Sequence, residues 1–210
     1  MVVIGLIGPV AAGKSLVLAE MERLGAVTIR ADDVSRALLA PGQPLLDAVF
    51  AAFGERYRRP DGSLDRRALG QLIFSDEEAR ARLEGILHPA MVARMAEMIT
   101  AERERPCPPP AVVVEAANLA PMGGLKLVDV TVMVTAERET RVRRLMARDG
   151  MTRAEAEALV NLHEALGLEA FPADYVLVND GDEADLRTAV QRLWRALVQE
   201  QSRAGVDEPR

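Results

Sequence analysis

Lys14 and Ser15 close the run Gly8-Pro9-Val10-Ala11-Ala12-Gly13-Lys14-Ser15. The run meets the spacing G-x-x-x-x-G-K-[S/T] at every fixed position. These residue types suit a polyphosphate. The amides of Gly8, Ala11, Ala12, Gly13, Lys14, Ser15 and Leu16 form a cradle for an anion at a helix N-terminus. The Lys14 ammonium reaches the β- and γ-phosphates, and the Ser15 hydroxyl is a ligand for Mg2+. An ordinary strand-to-helix turn is the alternative, but the flanks agree with the motif. Val2 to Ile7 is an apolar, β-branched run, and Leu16, Val17, Met21 and Leu24 recur at helical spacing.

Three other groups have the types and positions for chemistry. Asp32 follows the second apolar run, Ala26 to Ile29. In open α/β sheets ligands bind at the carboxyl ends of strands, so Asp32 is a candidate for the active centre. Its other reading is an N-cap for the helix beginning near Val34, a role that Asp33 would fill equally well. Glu115 ends the run Ala111-Val112-Val113-Val114 and stands where a carboxylate holds Mg2+ or its water; its other reading is a turn cap or an arginine partner. Residues 137–149 carry Arg138, Arg141, Arg143, Arg144 and Arg148. Arg141, Arg144 and Arg148 fall on one helical face. A solvated charged face is the plain reading. A lid over phosphate is the functional one, because guanidinium is a planar, permanently charged donor.

The elements that position these groups follow from periodicity and punctuation. Strands are expected at Val2–Ile7, Ala26–Ile29, Ala111–Glu115, Val130–Val134 and Ala173–Asn179. Between the second and third, strand signals vanish, and helices are expected at 34–39, 45–53 and 66–74. A longer helix opens at Ser75-Asp76-Glu77-Glu78, and Pro89 either kinks it or starts a new one. Met91, Val92, Met95, Met98 and Ile99 form an apolar stripe read as core. Thr152 and Glu155 form a capping box for a helix to about Leu166, and Asp182 to Gln201 is amphipathic.

At 210 residues, the chain is long enough for one core with an insertion. A net charge of −6 and few aromatic residues argue against a nucleic-acid partner. No run is long enough to span a bilayer. Cys107, alone among prolines, builds no disulfide framework and fits a reducing, cytoplasmic setting.

Taken together, the motifs resemble the dephospho-CoA kinase family over nearly the whole chain. The matching pieces are the Gly8–Ser15 loop, Ala31-Asp32 with Arg36, and Pro41-Gly42. Asp61-Gly62-Ser63-Leu64-Asp65-Arg66-Arg67-Ala68-Leu69 leads on to Ile73-Phe74, then to Leu87-His88-Pro89. Arg144-Leu145-Met146-Ala147-Arg148-Asp149-Gly150 and Ala173-Asp174-Tyr175 complete the set. The resemblance implies an α/β P-loop kinase fold with a five-stranded parallel sheet flanked by helices. It implies a nucleotide-binding core (1–33, 101–136 and 173–210), a helical insert for the CoA substrate (34–100) and a lid region (137–172). It also implies ATP, Mg2+ and dephospho-CoA as partners, no nucleic acid or membrane, and a monomer or weak homo-oligomer. Asp32 matches the base or hydroxyl-orienting carboxylate, Lys14 and Arg144 the groups on the transferred phosphoryl, and Ser15 the metal ligand. Arg148 falls on the ATP side, and Arg36, His88 and Glu115 with Asp32 on the substrate side.

The chain departs from the family at several positions. Ile7 replaces a usual Thr, and Pro9 replaces a Gly and removes one amide donor. Arg30 replaces an Asp, and Ala116-Ala117-Asn118 replaces Pro-Leu-Leu. His163 replaces a Gln and Glu169 a Lys. Two alternatives stand beside the kinase reading: another P-loop small-molecule or nucleotide kinase, and a nucleotide-binding paralogue without transfer activity.

Overall fold

The structure, a computed structural model, describes residues 1–165, 167 and 171–199. The expectations for Leu166, Glu169 and residues beyond 199 lie outside the described residues. Two compact units form: Met1–Ile29 with Ile99–Arg210, and Arg30–Met98.

The sheet contains β1 (Val2–Ile7), β2 (Val27–Arg30), β3 (Ala111–Glu115), β4 (Val130–Thr135) and β5 (Tyr175–Val178). Their spatial order is β2-β3-β1-β4-β5. β1 pairs in parallel with β3 and β4, and β4 with β5. β1 is central and buried at all six positions, which explains its uninterrupted apolar run. Every connection between parallel neighbours is a crossover, so the strand ends that lead into helices share one edge. Gly8 continues β1 at that edge, and Leu6 lies in register with Glu115.

α1 (Lys14–Arg23) and α8 (Glu183–Trp194) share a core with the sheet. Val17, Leu18 and Met21 pack with Leu186, Val190 and Trp194. α6 (Arg138–Asp149) and α7 (Arg153–Ala165) pair through Val142, Leu145, Ala156 and Val160. The capping box at the start of α7 forms: the Thr152 amide and hydroxyl both donate to Glu155 Oε2, at 2.8 and 2.7 Å.

The second unit contains α2 (Ala31–Leu38), α3 (Pro44–Phe53), α4 (Arg66–Ser75) and most of α5 (Glu77–Arg103). Its core is Leu39, Leu46, Val49, Phe50, Tyr57, Leu64, Leu69 and Leu83. Asp65 caps α4 by accepting from the Ala68 amide at 3.0 Å.

Pro89 neither ends nor starts a helix: α5 runs through it for 27 residues. Proline withdraws one hydrogen bond, from the carbonyl of Gly85. Buried Leu83 before it and Met91, Val92 and Met95 after it hold both halves. Strand five starts at Tyr175 rather than Ala173, because Asp174 is used otherwise. Its Oδ2 accepts from the Thr131 amide and hydroxyl, both at 2.7 Å, clamping the start of β5 to β4.

Candidate functional site

The loop between β1 and α1 owes its shape to two glycines. Gly8 has φ +142° and Gly13 φ +106°, a region side chains disfavour. A Cβ at Gly8 would overlap the Val134 carbonyl, and one at Gly13 the Asn179 side-chain amide. Between them, Ala11 has φ +58°, a left-handed conformation that costs an L-residue about 1 kcal/mol. The turn closes with the Ala12 amide donating to the Pro9 carbonyl at 3.4 Å. Pro9 thus serves the loop as an acceptor where its nitrogen donates nothing.

Two cations lie on this loop. Lys14 donates from Nζ to the carbonyls of Gly8 (2.8 Å) and Pro9 (2.9 Å). Arg144, on α6, donates from Nη1 to the carbonyls of Ala11 and Ala12 (3.4 Å each) and from Nη2 to that of Asn179 (2.9 Å). Ser15, in the first turn of α1, is exposed. Together they offer an anion two fixed charges, a hydroxyl and the start of a helix dipole.

Asn179 is the residue that the sequence reading passed over as a strand end. It is 4% exposed. Its side-chain amide donates to the Ala12 carbonyl at 2.7 Å, while its own carbonyl holds Arg144. It joins loop and arginine in one network. The available signal was its place: a polar residue just past a strand at the edge that Glu115 also occupies.

The other arginines of α6 differ in role. Arg141 is 3% exposed and bonds Glu164 at 2.7 Å, tying α6 to α7. Arg148 is exposed and bonds its neighbour Asp149 at 2.8 and 2.7 Å. Arg138 donates to Asn161 at 2.6 Å.

Glu115 is half-buried at the end of β3. Ser15 and Glu115 are hard oxygen donors, which suits Mg2+. Among the described residues, no three His, Cys, Asp or Glu gather into a metal cluster. Mg2+ at a nucleotide needs none, since phosphate oxygens and water complete its shell.

In the second unit, α2 begins directly after β2, with Arg30 as its N-cap and no side-chain cap. Asp32 and Asp33 therefore lie inside the first turn, and neither is the N-cap. Asp33 is engaged by Arg36 at 2.9 Å. Asp32 is exposed and makes no side-chain bond among the described residues. His88 is half-buried on α5, where burial pushes its pKa below the ordinary imidazole value against the opposing pull of Glu84.

The dephospho-CoA kinase family model matches residues 2–185. A dephospho-CoA kinase of Geobacter sulfurreducens is 43% identical over 192 residues, 91% of this chain and 96% of that protein. A crystal structure from Thermus thermophilus superposes with a TM-score of 0.75 at 29% identity, covering 93% of this chain and 97% of that one. The dephospho-CoA kinase of Campylobacter jejuni shares the fold, with a TM-score of 0.68 at 21% identity over 95% of this chain and 98% of that one. A continuous match across loop, helical segment, arginine helix and β5 leaves one assignment: the chain belongs to the dephospho-CoA kinase family.

Proposed function

We propose that this chain transfers the γ-phosphoryl group of ATP to the 3′-hydroxyl of the dephospho-CoA ribose, giving CoA and ADP. The observation that carries the proposal is the convergence of Lys14 and Arg144 on the backbone of one glycine-strained loop, in a chain of this family.

Phosphoryl transfer asks a protein for position and charge rather than covalent chemistry. The amides of Gly8 and of Ala11 to Leu16 hold the phosphates. Lys14 exchanges its carbonyl partners, and Arg144 those of Ala11 and Ala12, for phosphoryl oxygens, which carry more charge as the transition state forms. Asn179 keeps Arg144 and Ala12 in place while this happens. Asp32 holds the acceptor hydroxyl and takes its proton late in transfer, a role open to it because no cation among the described residues pairs with it. Arg36, His88 and Glu115 serve the acceptor side, and Arg148 the nucleotide. Ser15 would hold Mg2+, and Glu115 the ion or one of its waters. Bound there, Mg2+ supplies positive charge to the β- and γ-phosphoryl oxygens. The helical segment 34–100 serves as the acceptor-binding insert, and 137–172 as the lid. The proposal places the enzyme in the cytoplasm as a monomer or weak homo-oligomer. No helix among the described residues is long and apolar enough to cross a membrane.

The test is purified protein with ATP, Mg2+ and dephospho-CoA, following ADP release and identifying CoA by mass. ATP binding without transfer to dephospho-CoA would overturn the proposal. A faster reaction with another alcohol in an acceptor panel would redirect it to a different kinase substrate.

A further inference from the structure

His163 lies on the last turns of α7. Its Nδ1 is buried and has no hydrogen-bond partner among the described residues. A buried polar atom left unpaired costs about 1–3 kcal/mol, so it calls for a partner. The surroundings say what kind.

Ala156, Val160 and His163 follow one another at helical spacing and share a face of α7. Ala156 and Val160 are fully buried on that face, in a cluster against which Val10 and Ala11 of the phosphate-binding loop also pack. The face that carries His163 is thus the face turned to the loop and to α6. Lys14, from α1, and Arg141, from α6, lie close enough that their charges act on the ring. On its own helix, Glu164 is taken up by Arg141 at 2.7 Å and Arg138 at 3.6 Å. Arg144 is held by loop and Asn179 carbonyls. The Nδ1 of His163 therefore calls for a partner in a neighbourhood on which the charges of Lys14 and Arg141 act.

We propose that His163 is a further nucleotide-binding residue, donating from Nδ1 to a phosphoryl oxygen of ATP bound on the loop. This rests on the loop being the ATP site. In the free protein, burial first, then Lys14 and Arg141, push the imidazole pKa below the ordinary value, which favours the neutral ring. A polyphosphate reverses the sign of that field. The complex then favours the imidazolium, whose donor is stronger for being charged. ATP binding takes up a proton at His163, and affinity rises as pH falls from about 8 to about 6.

Three proteins are compared by calorimetric titration with ATP at pH 6, 7 and 8: wild type, His163→Phe and His163→Asn. His163→Phe keeps the ring and loses the donor, and is expected to bind ATP about tenfold more weakly. His163→Asn places an amide donor near the Nδ1 position without a titrating group. It is expected to restore most affinity at pH 8 and to lose the extra tightening at pH 6. Subtracting its pH profile from that of wild type removes the titration of ATP itself. In wild type, the His163 ring nitrogens are expected to shift towards the imidazolium position in 15N spectra when ATP is added. Affinities within twofold of wild type for both variants, parallel pH profiles, or unmoved ring nitrogens would each overturn the assignment. Should His163→Phe fail to fold, the asparagine variant and the wild-type spectra decide. A Lys14→Ala control separates the two readings. If wild type binds ATP and Lys14→Ala does not, the loop is the ATP site whatever His163 does. If wild type does not bind ATP, the loop assignment falls instead.

Discussion

Two adjacent aspartates in one helical turn differ in what holds them. Asp33 is paired with Arg36, and Asp32 is exposed and makes no side-chain bond among the described residues. Their substitutions should therefore separate. Asp32→Asn is expected to lower kcat by about 10²–10⁴-fold, the usual worth of a positioned proton acceptor. Asp33→Asn breaks only an exposed ion pair, worth well under about 1 kcal/mol, and should leave turnover close to wild type. Steady-state kinetics on both proteins checks this, and similar losses in the two would remove Asp32 from its role. Arg144 allows a second test. Its fork reaches three carbonyls at once, which one ammonium does not reproduce. Arg144→Lys is expected to cost about a hundredfold in kcat with a smaller change in KM for ATP, the signature of a contact that strengthens in the transition state. A rise in KM alone would make Arg144 a ground-state anchor.

The loop, α6 and the end of β5 are joined by Asn179, so this residue governs how the elements hold their charges. Asn179→Ala takes the shorter of two hydrogen bonds from the Ala12 carbonyl and leaves its own packing unfilled in a 4% exposed site. The expected cost is about 1–3 kcal/mol of stability, with a raised KM for ATP because the loop backbone loses its brace. Thermal unfolding together with ATP kinetics measures both. Lost stability with unchanged KM would restrict Asn179 to a packing role. How far such features were legible depends on whether they are local. β1 and β3 were read to the residue because strands buried on both faces are continuous apolar runs bounded by glycine, proline or charge. The Thr152–Glu155 box and the loop were legible for the same reason, since each is a local pattern of donors and acceptors. The aspartate caps were not: α2 starts straight from β2, with no intervening residue to act as a polar cap. Asn179 and Glu20 were passed over because their partners are tertiary. Glu20 has one local partner, Arg23, and the rest are distant in sequence. It is 1% exposed, and it accepts from Arg187 and Gln191, 167 and 171 residues along the chain.

The titrating groups also act together on the stability of the whole molecule, and they share a sign. Hydrogen bonds from Arg23 and Gln191 bring the Glu20 pKa from 4.5 to about 2. The Thr131 amide and hydroxyl lower that of Asp174, and Arg153 and Arg148 lower those of Glu139 and Asp149. Each carboxylate stabilises the fold fully above its unfolded pKa, and that stability is lost as pH falls through the folded value. His88 and His163 are lowered mainly by burial. A lowered imidazole contributes nothing above its unfolded pKa of about 6.5 and opposes folding below it, because the unfolded chain binds its proton more readily. Both classes make the unfolded state the better proton acceptor on the acid side, and neither acts between about pH 7 and 9. The melting temperature of the free protein is therefore expected to be flat across that range and to fall in two stages on acidification. The first, shallow, lies below about pH 6.5 and belongs to the histidines; the second, steeper, lies below about pH 4.5 and belongs to the carboxylates. Two variants assign the stages. His163→Asn should flatten part of the first and leave the second. Glu20→Gln should lower stability at pH 7 by about 1–3 kcal/mol, because Arg23 and Arg187 lose a charged partner, and make the second stage shallower. Calorimetric scans from pH 3 to 9 decide the matter. A maximum near pH 5, where the free histidines would be charged, would mean that His88 and His163 gain partners for their protonated forms on folding, opposite in sign to what burial among Lys14, Arg141 and apolar side chains imposes.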